Sequence, residues 1–205
     1  MPNWDITFAG YQRLTVRQHK RWLEVLLNLE MVNTYDVFDE QNLPVLRVQE
    51  EGTGFLQFLK RVFIGPIRPF LASVLDYETN QVILSLRRPF RFFFHRLEIS
   101  TADGERLGSI ERQWSWLHRH YLIRNSQATL VAELFAPLFH PWTFEIQINQ
   151  QIQGFIRKRW SGLLKESFTD ADNFGVDLSG ITDPQVKALA FAATVLIDVV
   201  HFERK

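Results

Sequence analysis

Across residues 188–197 the chain is apolar at every position but Thr194, so a helix built from this run has no face to give to water. Thr182 or Asp183 can accept from the first free N–H groups and Pro184 is preset for the first helical position, which marks where such a helix starts. It needs apolar surroundings on every side, and only lipid or the interior of its own domain supplies them. Length separates the two: residues 188–200 make about 20 Å of helix at ~1.5 Å per residue, against about 30 Å for a bilayer core. Asp198 lies inside the run as well, and an ionisable group is costly in lipid unless paired. Burial inside the domain is therefore favoured over a membrane span.

What encloses the helix is written upstream in period two. Residues 35–38 and 45–48 flank a turn at 39–42, 71–75 and 82–86 flank 76–80, and 97–99 and 107–112 flank 102–104. Residues 121–123 and 130–134 flank 125–127, and 144–148 and 152–156 flank 149–151. Turn centres at Thr79, Asp103, Ser126 and Gln150 are spaced by 24, 23 and 24 residues, one hairpin per unit and too short for a propeller blade of about 40. Regular hairpins with few helices suggest a sandwich or a closed meander barrel, and closure removes exposed edges. A barrel of ten or more strands would leave a lumen that the apolar helix can fill. Eighteen phenylalanines and six tryptophans suit strands around a large interior.

Ahead of the strands, residues 14–32 show a helical stripe, Trp22, Leu23, Leu26, Leu27 and Leu29 opposite Gln18, Lys20, Arg21, Glu24 and Asn28. This predicts an N-terminal amphipathic helix, packed on its own domain in preference to lying on a membrane. The expected organisation is a helical segment over 1–34 and a barrel domain over 35–205, forming one domain overall.

Charge and cysteine content narrow the function. Lysine plus arginine equal aspartate plus glutamate at 23 each, which removes the electrostatic case for a nucleic-acid binder. With no cysteine there is no disulfide, thiolate metal site, cysteine nucleophile or palmitoyl anchor. The first residues, Met1-Pro2-Asn3-Trp4-Asp5, do not read as a signal peptide, so an intracellular protein is expected. No Gly-rich phosphate loop, nucleophile elbow or zinc-protease motif is present, and nothing argues for a hydrolase or a nucleotide enzyme. His118 and His120 would point the same way on a strand, but no third metal ligand accompanies them.

Aromatic-basic segments lie between the hairpins: Arg68-Pro69-Phe70, the run from Arg87 to Arg96, Trp114 to His120, and Arg157-Lys158-Arg159-Trp160. Guanidinium groups beside rings suit phosphate-bearing headgroups, with Arg88, Arg91, Arg96, Arg157, Lys158 and Arg159 as the candidates. A solvated barrel rim reads the same way.

The run from Arg159-Trp160-Ser161-Gly162 to Phe174-Gly175, with Leu196-Ile197-Asp198 and Phe202-Glu203 after it, resembles the C-terminal signature of the phospholipid scramblase family. Arg68-Pro69-Phe70, Arg88-Pro89-Phe90 and Leu23-Glu24-Val25-Leu26 are similar to that family too, so the likeness extends over most of the chain from about Gln18. It implies a tubby-like fold, a twelve-stranded closed barrel around a hydrophobic C-terminal helix. It also implies ATP-independent transbilayer lipid movement at a phospholipid membrane, on its cytoplasmic face, with a response to calcium. Animal-type members carry a Pro-rich N-terminal region and a lipidated cysteine cluster, and neither is found here. The resemblance places an EF-hand-like calcium segment from Asp170, with Asp172, Asn173 and Asp177 as further candidates. Phe174 and Ile181 occupy positions 5 and 12, where such a loop needs oxygen ligands, so calcium binding is expected to be weak. A structural Asp-Asn-Gly turn accounts for the same residues. The alternative to a scramblase is a soluble barrel that binds headgroups or a protein partner without transport.

Overall fold

The computed structural model describes residues 3–19, 34–51, 70–89, 96–115, 118–140, 142–159 and 173–201. Among these, twelve strands follow a short helix, α1 (Trp4–Gly10), and precede a long one, α2 (Pro184–His201). They are β1 (Arg13–His19), β2 (Thr34–Phe38), β3 (Pro44–Glu50), β4 (Phe70–Asp76), β5 (Val82–Arg88) and β6 (Arg96–Thr101). Then come β7 (Arg106–Gln113), β8 (Arg119–Asn125), β9 (Leu130–Ala136), β10 (Thr143–Ile148), β11 (Gln151–Arg159) and β12 (Asn173–Asp177). Each pairs antiparallel with its sequence neighbours, and β12 returns to β1 with Arg13 opposite Asp177 and Arg17 opposite Asn173, so the sheet is a closed barrel. Closure leaves no row of unpaired edge groups.

The turns at one end repeat a single chemistry. At β2–β3, Asp39 Oδ1 accepts from the N–H groups of Gln41 and Leu43 at 2.9 and 2.8 Å. At β4–β5, Asp76 Oδ1 accepts from Thr79 N–H at 2.8 Å, and at β8–β9 Asn125 Oδ1 accepts from Gln127 and Thr129 at 3.1 and 2.9 Å. Thr101 Oγ1 takes Glu105 N–H at 3.2 Å in the β6–β7 turn. Each of these turns then uses one left-handed residue, Asn42, Asn80, Gly104 or Ala128, with φ of 60°, 54°, 84° and 64°. Register shifts sit beside them in the strands, as a left-handed bulge requires.

Inside the barrel every residue of α2 from Val186 to Val200 is buried. Asp183 caps the helix, its Oδ1 accepting from Gln185 N–H at 2.8 Å. By length and composition α2 is sufficient to cross a membrane, since its 18 residues reach about 27 Å, but its apolar surface is spent on the barrel wall. Room for it is made at Gly108 in β7. A Cβ there would run into the Arg124 carbonyl oxygen and lie 2.9 Å from Leu189 Cδ1.

Helix α1 closes the end where α2 begins. Phe8 is fully buried with its ring 5.6 Å from that of Phe191, and the buried Lys187 ammonium donates to the carbonyl oxygens of Ala9 and Tyr11 at 3.1 and 2.7 Å. Burial lowers the Lys187 pKa.

The N-terminal helix thus lies at 4–10, and the first part of the helix expected over 14–32 is strand. Leu14 and Val16 alternate inward while Thr15 and Arg17 stay partly exposed, and the backbone finds partners in both β12 and β2. β1 is therefore part of the barrel wall. The Trp22 to Leu29 stripe lies outside the described residues.

Candidate functional site

Strand parity sorts the connections onto two ends. Five tight hairpin turns, the 178–183 link and α1 lie at one, the hairpin rim. At the other, the connector rim, strand ends at 19 and 34, 50 and 70, 88 and 96, 113 and 119, 136 and 143, and 159 and 173 are joined by longer segments. α2 starts at the hairpin rim and ends at the connector rim.

Two tyrosines hold the last turns of α2 there. Tyr35 Oη donates to Asp198 Oδ2 at 2.7 Å, so the buried acid in an otherwise apolar helix has a polar partner. Tyr121 Oη and His201 Nε2 share a hydrogen bond of 2.7 Å, and the Tyr121 ring packs edge-on to Phe144 and His201 at 6.0 and 6.2 Å. Burial pushes the Tyr121 phenol pKa upward. Arg88 and Lys158 point inward at the same end, both buried, with the Lys158 ammonium 5.8 Å from the Phe174 ring centre.

Among the described residues, the cations expected to meet headgroups do not share one face. Arg88 and Lys158 face the barrel interior; Arg96 faces outward but is paired, its Nη1 2.8 Å from Glu111 Oε1 and its Nε 3.4 Å from Glu98 Oε1. Arg157 is exposed and stacks on Phe155 at 4.4 Å. Arg159 ends β11, and Arg91 lies outside the described residues.

The calcium candidates are separated too. Asn173 and Asp177 are at opposite ends of β12, about 13 Å apart at ~3.3 Å per residue. Asp177 Oδ1 accepts from the Ser179 N–H at 3.1 Å and its hydroxyl at 2.6 Å, and Oδ2 lies 3.7 Å from Arg13 Nε. Burial raises its pKa, but the Ser179 hydrogen bonds with Arg13 and Arg157 outweigh this and leave it lowered. Its carboxylate serves the turn into α2. Asp170 and Asp172 lie outside the described residues. Among the described residues no group of three or more His, Asp or Glu is placed to hold a metal. His120 Nε2 meets Glu133 Oε2 at 2.7 Å, and the His118 ring packs on Phe135 at 5.2 Å.

Trp114 belongs to an aromatic-basic segment noted in the sequence; the exposed Leu138-Phe139 pair and the charge contrast between the rims were not anticipated. The connector rim exposes large apolar side chains, Trp114 at 73%, Leu138 at 55% and Phe139 at 88%. Leu138 and Phe139 sit on a turn closed by His140 N–H to Pro137 O at 3.0 Å, next to Trp142, over which the Arg119 guanidinium stacks at 4.7 Å. Pro137 and Pro141 bracketing Leu-Phe-His was the available signal, an apolar pair forced out of both flanking strands. The hairpin rim, by contrast, is acidic: Asp39, Glu40, Asp76, Glu78, Asp103, Glu105, Asp177 and Asp183 stand against Arg13, Arg106 and Arg124. As the chain is neutral overall, the remainder is net basic.

A closed antiparallel barrel plugged by its own C-terminal helix, with tyrosine anchors at one mouth and a carboxylate rim at the other, defines the structural class. A family model described as Scramblase matches residues 5–204, and the chain belongs to that family. Human phospholipid scramblase 2 is 30% identical over 93% of this chain and 67% of its own length. Human phospholipid scramblase 1 is 29% identical over 93% of this chain and 63% of its own length, and human phospholipid scramblase family member 5 is 26% identical over 93% and 73%. The chain spans roughly two thirds of the length of these relatives. No solved structure matches it.

Proposed function

We propose that the protein is a phospholipid scramblase, a lipid-transport protein that moves phospholipid between leaflets without ATP, working on the cytoplasmic face of a membrane. The observation that carries this is the family match over nearly the whole chain, together with relatives named as phospholipid scramblases. Reconstituted in liposomes, the protein should bring inner-leaflet fluorescent phospholipid within reach of an external quencher in minutes. Unmixed leaflets would refute transport.

A specific observation supports a second reading, headgroup binding without transport. A charged headgroup crossing about 30 Å of hydrocarbon needs a polar path, and this lumen is filled from Val186 to Val200 by buried, mostly apolar side chains. In that case the protein co-sediments with anionic vesicles, releases them as salt approaches ~1 M, and leaves the leaflets unmixed. Calcium binding centred on Asp170 and Asp172 is proposed as weak, about millimolar, because positions 5 and 12 are Phe174 and Ile181. Calorimetry is the check, and micromolar binding lost in Asp172→Ala overturns it.

A further inference from the structure

Resting on the membrane reading above, we propose how the barrel stands on the bilayer. Its connector rim faces an anionic phospholipid surface, with Trp114, Leu138 and Phe139 entering the headgroup layer and the hairpin rim turned away. The β7–β8 and β9–β10 connections that carry these side chains are two strand spacings apart, about 10 Å, so they form one patch. A tryptophan and a phenylalanine exposed at 73% and 88% match the boundary between water and hydrocarbon, where amphipathic rings settle. Arg119, stacked on Trp142 beside the Phe139 turn, and the exposed Arg157 are placed to meet phosphate.

The other end also exposes apolar residues, Ile6 at 70%, Leu43 at 59%, Ile152 at 49% and Leu130 at 43%, so exposure alone does not choose between the rims. Charge does. Leu43 adjoins the Asp39 turn, and the end it shares with Asp76, Asp103 and Asp177 is repelled by anionic lipid, while Arg119 and Arg157 at the connector rim are attracted. The asymmetry orients the molecule without any net charge.

The cysteine-free chain makes the test direct. Phe139→Cys and Ile6→Cys proteins, each labelled with an environment-sensitive fluorophore, are mixed with vesicles of phosphatidylserine and phosphatidylcholine and challenged with aqueous iodide. The probe at 139 should shift to the blue and resist iodide, while the probe at 6 stays quenchable. Unlabelled Trp114→Ser/Phe139→Ser protein should partition about tenfold or more less well, and Ile6→Ser protein should not change. Shielding at 6, or a wet probe at 139 on protein that co-sediments, overturns the orientation and leaves membrane binding intact. Shielding at 139 without vesicles that grows with protein concentration overturns it in favour of self-association. Failure to co-sediment at all removes the membrane reading, and the orientation with it.

Discussion

Tyr11 and Tyr121 make the fold sensitive to alkali. Burial first, then the carboxylates of Asp76 and Asp39, raise the Tyr11 phenol from 10.0 to about 12, and burial raises Tyr121 as well. A raised folded pKa means the native state holds its proton longer than the unfolded chain, so this stability is intact below pH 10 and is lost between about 10 and 12. Lys187 acts in the opposite sense and in a lower window, because its lowered pKa relieves a buried charge before 10.5 is reached. The denaturation midpoint should fall through the alkaline window, and less steeply in Tyr11→Phe; an unchanged slope removes the argument. Ala128 is a second exposed cost, a non-glycine residue at φ 64°. Ala128→Gly should raise stability by about 0.5–1 kcal/mol, read as a higher denaturant midpoint at constant slope. Inward cations are legible in the pattern: Arg88 shares parity with Leu84 and Leu86, and Lys158 with Gly154 and Ile156, so alternation puts both inside.

Among the elements, those announced by local chemistry were the readable ones. Four of the five hairpins declared themselves because an Asp, Asn or Thr side chain closes the turn and one left-handed residue ends it, the fifth through the left-handed pair Asn149-Gln150, and α2 because no side of it suits water. β1 did not, since its alternation spans only Leu14 to Val16 before the Trp22 to Leu29 stripe dominates the pattern. One of its two partner strands, β12, is remote in sequence, and such pairing leaves no local mark. The fit between β7 and α2 is likewise invisible beforehand, because Gly108 has meaning only against Leu189. Gly108→Ala should cost at least ~1–3 kcal/mol by overpacking. If Gly108→Ala melts with the unsubstituted protein, the helix is not held where the structure has it.

For the whole molecule, the helix and barrel are expected to unfold as one cooperative unit. Deleting residues 184–205 strips the lining from the inward faces of β6, β7, β8 and β12 and should leave the chain insoluble; a truncated protein that still unfolds cooperatively overturns this. That dependence also dictates an order of assembly. The innermost element is the last of the described elements to be synthesised, while the seam that seals the wall joins Arg13 to Asp177. Eleven of the twelve strand pairings join sequence neighbours and can form as the strands emerge, but a wall sealed before α2 arrives shuts the helix out. The β1 seam must therefore form last, around a helix already in place, so on the ribosome the sheet waits open, with both edges bare, until residue 201 has cleared the exit. During that wait the nascent chain is most in need of a chaperone.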